Sequence, residues 1–188
     1  MVAKQLNISA RELQELINGC LIKNRSCQYK IYTIYGPVMM ALCLRYSRNR
    51  EEAEEVLQDG FLQVYRCISQ FNNKGSFEGW VRKIMINSAL QRFRGKANQY
   101  NLVSLVEEQF FLNRESSLID RLGEKELIRL IQMLPPASRM VFNLYVFEGL
   151  KHREIAALLN ITEGTSKSNL FDARKILQNH LIPEFKMV

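Results

Sequence analysis

The chain lacks any run of about 18 apolar residues, so no segment is suited to cross a membrane as a helix. Its start, "MVAKQLNISARELQEL", carries charges where a signal peptide needs an apolar stretch, and a cytoplasmic protein without membrane insertion is expected. Cysteine is scarce and badly placed for metal. Cys20, Cys27, Cys43 and Cys67 form no CxxC pair, and both histidines, His152 and His180, lie far downstream. That excludes a zinc set or a disulfide framework, and the expectation is four reduced, largely buried thiols with no metal and no cofactor. Acids are also in deficit. With 26 Lys and Arg against 19 Asp and Glu the net charge is +7, so an anionic partner is expected, nucleic acid or an anionic membrane surface. Tryptophan occurs once, at Trp80.

What is present is helix. Apolar residues recur at spacings of three and four, and no stretch alternates for long as a strand would. A first helix over 9–23 carries Leu13, Leu16, Ile17 and Leu21 on one face. A second spans 29–46 and contains Gly36-Pro37, a point where a helix ends, kinks or restarts. A third begins from an N-cap at Asn49, and Ala53, Val56, Leu57, Phe61, Val64 and Ile68 form its buried stripe. It stops at the turn-formers "FNNKGS".

The pattern weakens over 97–120, and between Glu107 and Glu126 acids outnumber bases six to three. This reads as an interdomain linker. Four helices follow, over 124–133, 136–147, 151–159 and 163–180. The expected architecture is all-α: a domain over 9–96, a polar linker over 97–120 and a second small helical domain over 121–183.

The segment "GSFEGWVRKIMINSALQRFRGK" holds the tryptophan, five bases and one acid. At 100° per residue, Phe77, Val81, Ile84, Met85, Ile86, Ser88, Ala89, Leu90 and Phe93 sweep out an apolar arc. Lys83, Asn87, Gln91 and Arg94 occupy the remaining window with Trp80, while Arg82 and Arg92 fall outside this division. A purely structural reading folds Trp80 back over the edge of its domain. The functional reading is that an aromatic plane among cations and amides suits unstacked bases, each of which has a π face to stack.

Near the C-terminus, "LKHREIAALLNITEGTSKSNLFDARKILQNHL" breaks its periodicity as a helix-turn-helix does. Ile155, Ala156, Leu158 and Leu159 bury the first helix, "NIT" turns the chain and Thr162 caps the second. On that second helix Ser166, Leu170, Ala173, Leu177 and Leu181 face inward. Gly164, Lys167, Ser168, Phe171, Asp172, Lys175 and Gln178 face outward, the small, polar and cationic set that a groove-reading helix presents. Lys167 and Lys175 reach phosphates, as does Arg174 from the margin of that face; for Lys167 a guanine edge is the alternative. Phe171 has the shape to touch a thymine methyl. A packed helical hairpin in any small bundle would share the pattern.

Three segments in order, "YGPVMMALCLRYSRNREEAEEVLQDGFLQVYRCISQF", "GSFEGWVRKIMINSALQRFRGK" and "LPPASRMVFNLYVFEGLKHREIAALLNITEGTSKSNLFDARK", together resemble the extracytoplasmic-function (ECF) group of the bacterial sigma-70 family. The resemblance covers about 29–177. It implies a sigma region 2 bundle and a sigma region 4 helix-turn-helix domain, in a dissociable subunit that brings core RNA polymerase to promoters. Glu54, Glu55, Leu57, Gln58, Asp59 and Phe61 match the part of region 2 that docks on core polymerase. Asn72, Asn73, Lys74 and Ser76, with Phe77, Trp80, Lys83, Asn87, Gln91 and Arg94, match the parts that open the minus-10 element and hold its single strand. Phe77, placed in the core by the helical wheel, is expected to shape that pocket. Thr165, Lys167, Ser168, Phe171 and Asp172 would enter the duplex minus-35 groove, with Arg174 and Lys175 on the backbone. An anti-sigma factor is a further partner that the resemblance admits.

The chain departs from the family at Asn169 and Asp172, where members often carry arginine or another base-reading residue, and at Ser166, where valine is usual. Asp172 repels phosphate but accepts from a cytosine amino group, so the minus-35 sequence does not carry over. Two other classes compete. A stand-alone helix-turn-helix regulator would bind duplex DNA without polymerase. A nucleic-acid enzyme would need Glu51, Glu52, Glu54, Glu55 and Asp59 to converge on a metal, whereas they lie along one helix; no catalytic residue is expected.

Overall fold

A computed structural model describes residues 8–95 and 123–185. Among these residues there are eight α-helices and no strand. The first bundle comprises α1 (Ala10–Leu21), α2 (Arg25–Tyr46), α3 (Arg50–Cys67) and α4 (Phe77–Arg94); the second comprises α5 (Glu124–Met133), α6 (Pro136–Val146), α7 (His152–Leu159) and α8 (Glu163–Phe185). The segment expected as a linker, 97–120, lies outside the described residues.

Local chemistry sets the starts. Ser9 and Glu12 form a capping box on α1, Asn24 Oδ1 accepts from Ser26 and Cys27 N, and Asn49 Oδ1 accepts from Glu52 N at 2.9 Å. The cap at Asn24 starts α2 four residues earlier than the apolar pattern indicates. Gly36-Pro37 neither ends nor restarts that helix, since Pro37 sits inside one continuous α2 and is exposed. Ser76 Oγ accepts from Gly79 N at 3.0 Å and fixes the first turn of α4.

The stripe expected from Ala53 to Ile68 is buried throughout, with Ile68 in the 3-10 turn that follows α3. It packs on α4 at Gly60, where an added Cβ would stand 2.2 Å from Met85 Sδ, so only glycine permits this approach. The apolar arc of α4 is likewise buried, except Phe93 at 38% exposure. On α1, Ile17 and Cys20 fill the core with Leu13 and Leu16 half-buried beside them, while Leu21 is 47% exposed, so the expected face of Leu13, Leu16, Ile17 and Leu21 turns toward Cys20. Leu158 and Leu181, expected inward, are half-buried. Cys20 and Cys43 are buried, and desolvation pushes their thiols up to about 11 and about 12; Cys27 and Cys67 are only half-buried.

The bundles meet along a polar seam. Glu148, 1% exposed, takes a bidentate pair from Arg82 on α4, with Nη2–Oε1 at 2.8 Å and Nε–Oε2 at 3.1 Å. Tyr46 Oη donates to the same carboxylate at 3.4 Å. Asn143 Nδ2 donates to Arg45 O at 2.9 Å, Gln132 Nε2 to Leu44 O at 3.0 Å, and the Arg45 guanidinium lies 4.4 Å from the Phe147 ring centroid. These bonds cap the carboxyl end of α2, whose last carbonyls would otherwise lack partners.

Candidate nucleic-acid interfaces

On α8 the inward and outward faces expected from the sequence are found, apart from Leu181. Gly164, Thr165, Lys167, Ser168, Phe171, Asp172, Arg174, Lys175 and Gln178 are exposed, and Ser166, Leu170, Ala173 and Leu177 are buried. Asn160 closes α7 in the left-handed conformation at φ 54°, which an asparagine tolerates, and Thr162 Oγ1 then accepts from Thr165 N at 3.0 Å. The two helices are thereby held at a fixed turn. Asn169 is only half-buried and tied back, donating to Thr165 O and accepting from Ser138 Oγ at 3.1 Å. That spends its amide inside the bundle, which accounts for an unusual residue at this position.

His152 is built into the same support. Its Nδ1 lies 2.9 Å from Ser166 Oγ and its ring stacks on Tyr145 at 4.8 Å, while the Arg174 guanidinium lies 5.6 Å from that ring. Burial, then the neighbouring Lys167 charge, hold its pKa below the ordinary histidine value, with Glu163 acting in the other direction. A neutral imidazole follows at pH 7. Ser166, where valine is usual, therefore serves as the hydrogen-bond partner of His152.

The first bundle is different. Phe77 is 3% exposed and meets Tyr35 and Phe71 edge-on at 5.3 and 5.2 Å, which confirms its place in the core. Trp80 is half-buried, packed against Phe71 and Phe77 with both centroids at 5.6 Å. It thus neither stands free nor sinks into the core. Lys83, Gln91 and Arg94 are half-buried as well, and Arg94 loses basicity through desolvation. Asn87 corrects the helical wheel: at 8% exposure it lies inside, beneath the strip. Broad contact of α4 with both α2 and α3 leaves it a narrower polar window than an isolated helix would have.

The loop before α4 is preshaped. Asn73 and Gly75 take positive φ values of 60° and 93°, Asn72 Oδ1 accepts from Lys74 N at 3.0 Å, and Ser76 Oγ is committed to the cap. Asn72, Asn73, Lys74 and Ser76 are all exposed, and they follow Phe71, whose ring packs on Trp80.

On the acid face of α3, Glu54, Glu55, Gln58 and Asp59 are exposed, but Leu57 and Phe61 are 5% and 3% exposed and belong to the core. They support this face from behind. The apolar group that does stand among the acids is Leu62, 53% exposed, which sequence reading passed over although it follows Gln58 by four and Asp59 by three. Glu54 pairs with Arg50 at 2.8 Å, and Arg92 of α4 pairs with Glu55 and, at 3.6 Å, with Asp59. No group of three or more His, Cys, Asp or Glu among the described residues is placed to hold a metal ion. No described helix is long and apolar enough to cross a membrane.

The fold and these surfaces define a two-domain helical protein with a helix-turn-helix module. A family model described as Sigma-70 region 2 matches residues 31–99, and one described as Sigma-70 region 4 matches residues 124–177. The RNA polymerase sigma-H factor of Pseudomonas aeruginosa is 28% identical over 160 residues, covering 79% of this chain and 83% of that one. The ECF RNA polymerase sigma-E factor of Escherichia coli is 27% identical over 143 residues, covering 70% of this chain and 75% of that one. A solved sigma factor, RpoE in complex with the anti-sigma factor NepR from Bartonella quintana, is similar at a TM-score of 0.48 and 21% identity, over 81% of this chain and 95% of that one. The chain belongs to the sigma-70 family, as an ECF-type sigma factor serving transcription initiation.

Proposed function

We propose that the two bundles divide the work of promoter recognition, with core RNA polymerase and promoter DNA as partners. The domain over 9–96 docks on core polymerase through Glu54, Glu55, Gln58, Asp59 and Leu62, with Leu57 and Phe61 holding α3 in place. Its loop at Asn72, Asn73, Lys74 and Ser76, together with Trp80, Lys83, Gln91 and Arg94, receives the single-stranded minus-10 element; Asn87 and Phe77 shape the floor. The domain over 121–183 reads the duplex minus-35 element with Thr165, Lys167, Ser168, Phe171 and Asp172, while Arg174 and Lys175 take the backbone. The segment 97–120 joins them, and an anti-sigma factor is a further partner. The factor works in the cytoplasm and does no catalysis of its own.

One observation carries this reading: a single chain presents two differently built faces, an exposed cationic helix suited to a duplex groove and an aromatic, half-buried strip suited to unstacked bases. Run-off transcription with purified core polymerase, on promoter fragments enriched by the protein, tests it. Initiation that requires both the protein and core is the expected result. Duplex binding with no core-dependent transcript would favour a stand-alone regulator, and magnesium-dependent strand cleavage without polymerase would favour an enzyme.

A further inference from the structure

Among the described residues eight large apolar side chains are left exposed, and four of them, Leu21, Ile22, Tyr29 and Tyr32, fall within the stretch that turns α1 into α2. Ile22, at 78%, is the most exposed of the eight. The turn is fixed by its backbone: Lys23 takes the left-handed conformation at φ 59°, Lys23 N donates to Cys20 O and Asn24 N to Gly19 O, each at 3.0 Å, and Asn24 then caps α2. Leu21 and Ile22 are thereby held out in solvent at the tip. Charge there has one sign. The sequence holds no Asp or Glu from Leu16 through Arg50, and Lys23, Arg25 and Lys30 are exposed with no ion pair among the described residues. Tyr29 follows Arg25 by four and shares its face of α2, whereas Tyr32 leans on Phe61 at 4.8 Å and borders α3 instead. The DNA surfaces proposed above lie elsewhere. Asn73 Nδ2 meets Gln14 Oε1 at 3.5 Å, so the loop before α4 touches α1 about 10 Å short of Leu21 at ~1.5 Å per residue, and α8 belongs to the other bundle.

We propose that this tip docks on an anionic lipid surface, the headgroup layer of a bilayer containing acidic phospholipid. Leu21 and Ile22 enter the boundary between headgroups and acyl chains, Tyr29 sits at headgroup level, and Lys23, Arg25 and Lys30 meet the lipid phosphates. The combination selects lipid over nucleic acid. A phosphate backbone answers to the three cations but offers Leu21 and Ile22 no apolar surface, and base edges lie at the floor of a groove that admits a helix or a ribbon of strands, not a helical turn. A bilayer answers to both sets of side chains at once. Two aliphatic groups and three cations make a reversible, salt-sensitive contact with the surface, not a span, in keeping with helices none of which, among those described, is long and apolar enough to cross. The contact goes beyond the function proposed above and does not depend on it.

Sedimentation of the full chain with vesicles tests this, using phosphatidylcholine alone and an equal mixture of phosphatidylcholine and phosphatidylglycerol. Binding to the mixture only is expected, weakening as salt is raised. Ile22→Ser keeps every charge and removes a side chain that stands in solvent, so it should leave helix content by circular dichroism unchanged while weakening vesicle binding about five- to tenfold. Lys23→Gln combined with Arg25→Gln should weaken it about 25-fold, about fivefold for each cation near the anionic surface. Because the whole chain is cationic, Lys167→Gln combined with Lys175→Gln on α8 is the control for unspecific attraction, and it should change vesicle binding far less than the tip pair does. No binding to the anionic vesicles, wild-type binding by Ile22→Ser, or an equal loss in the α8 and tip variants overturns the proposal. A tip variant that weakens duplex DNA binding while the wild-type chain leaves vesicles unbound overturns it in favour of nucleic acid.

Discussion

Helices α4 and α8, the two elements proposed to contact DNA, are built in opposite ways. On α8 every residue assigned to the groove is exposed, and the support behind it, His152 on Ser166 and Asn169 on Ser138, is hydrogen-bonded within the bundle. The proposed duplex contact would need no rearrangement of these side chains' support. On α4 Phe77 and Asn87 are buried, Lys83, Gln91 and Arg94 are half-buried, and the half-buried Trp80 rests on Phe71 and Phe77. A face of that kind offers an aromatic edge and a cleft, not a protruding set of side chains. The difference suits the ligands proposed for them: duplex DNA presents a fixed groove to be filled, while an unpaired base must be received into a pocket the protein provides.

The seam gives the largest expected effect, because it asks whether α8 and its bundle depend on the first one at all. Glu148→Ala leaves Arg82 facing Arg45 across a site with no carboxylate, and breaking a buried pair from one side costs about 3–5 kcal/mol. The loss should appear as separation of the bundles in small-angle scattering, with helix content by circular dichroism unchanged. If instead α8 melts with the seam, its readiness for the duplex is borrowed from the first bundle and the contrast with α4 fails.

Trp80→Ala sharpens the other side. Removing a stacking plane worth about 1–3 kcal/mol per base should slow promoter opening by about 5- to 150-fold, read with a permanganate or fluorescent-base probe, while closed-complex binding changes little. Equal losses in both steps would assign Trp80 to packing on Phe71 and Phe77 alone. Gly60→Ala serves as the control for packing: the Cβ forced against Met85 should cost about 1–3 kcal/mol in denaturant unfolding by overpacking, with no special defect in opening.

Periodicity made α3 and α8 legible because each packs one clean face, so a helical wheel suffices. It served less well on α4, which is gripped by α2 and α3 together: Asn87 has the wheel position of a surface residue and the burial of a core one. Leu57 and Phe61 show a related ambiguity, since a family's docking segment and a helix's core stripe overlap in sequence and only packing separates Leu62 from them. Nothing local announced the seam. Glu148 pairs with Arg82 at a separation of 66 residues and with Tyr46 at 102, distances over which periodicity carries no signal. The continuity of α2 through Pro37 is also a tertiary outcome, because the helix on both sides is held by its neighbours.

The smallest effect is the most discriminating for α8. Lys167 and Phe171 are exposed, so Lys167→Ala and Phe171→Ala should change unfolding free energy by no more than about 0.5 kcal/mol. Their binding defects should differ in kind. If Lys167 contacts a phosphate, its loss weakens minus-35 binding across sequences and lowers the slope of log affinity against log salt by about 1. Phe171 carries no charge, so its removal should leave that slope alone and reduce discrimination at one base pair, by about 1–3 kcal/mol if it meets a thymine methyl. Affinity for duplex minus-35 DNA, measured for both variants at several salt concentrations, separates these outcomes. A lysine variant with wild-type affinity at low salt would remove Lys167 from the interface, and a changed slope for the phenylalanine variant would mean that α8 docks in another orientation, with a neighbouring cation such as Lys175 displaced from its phosphate.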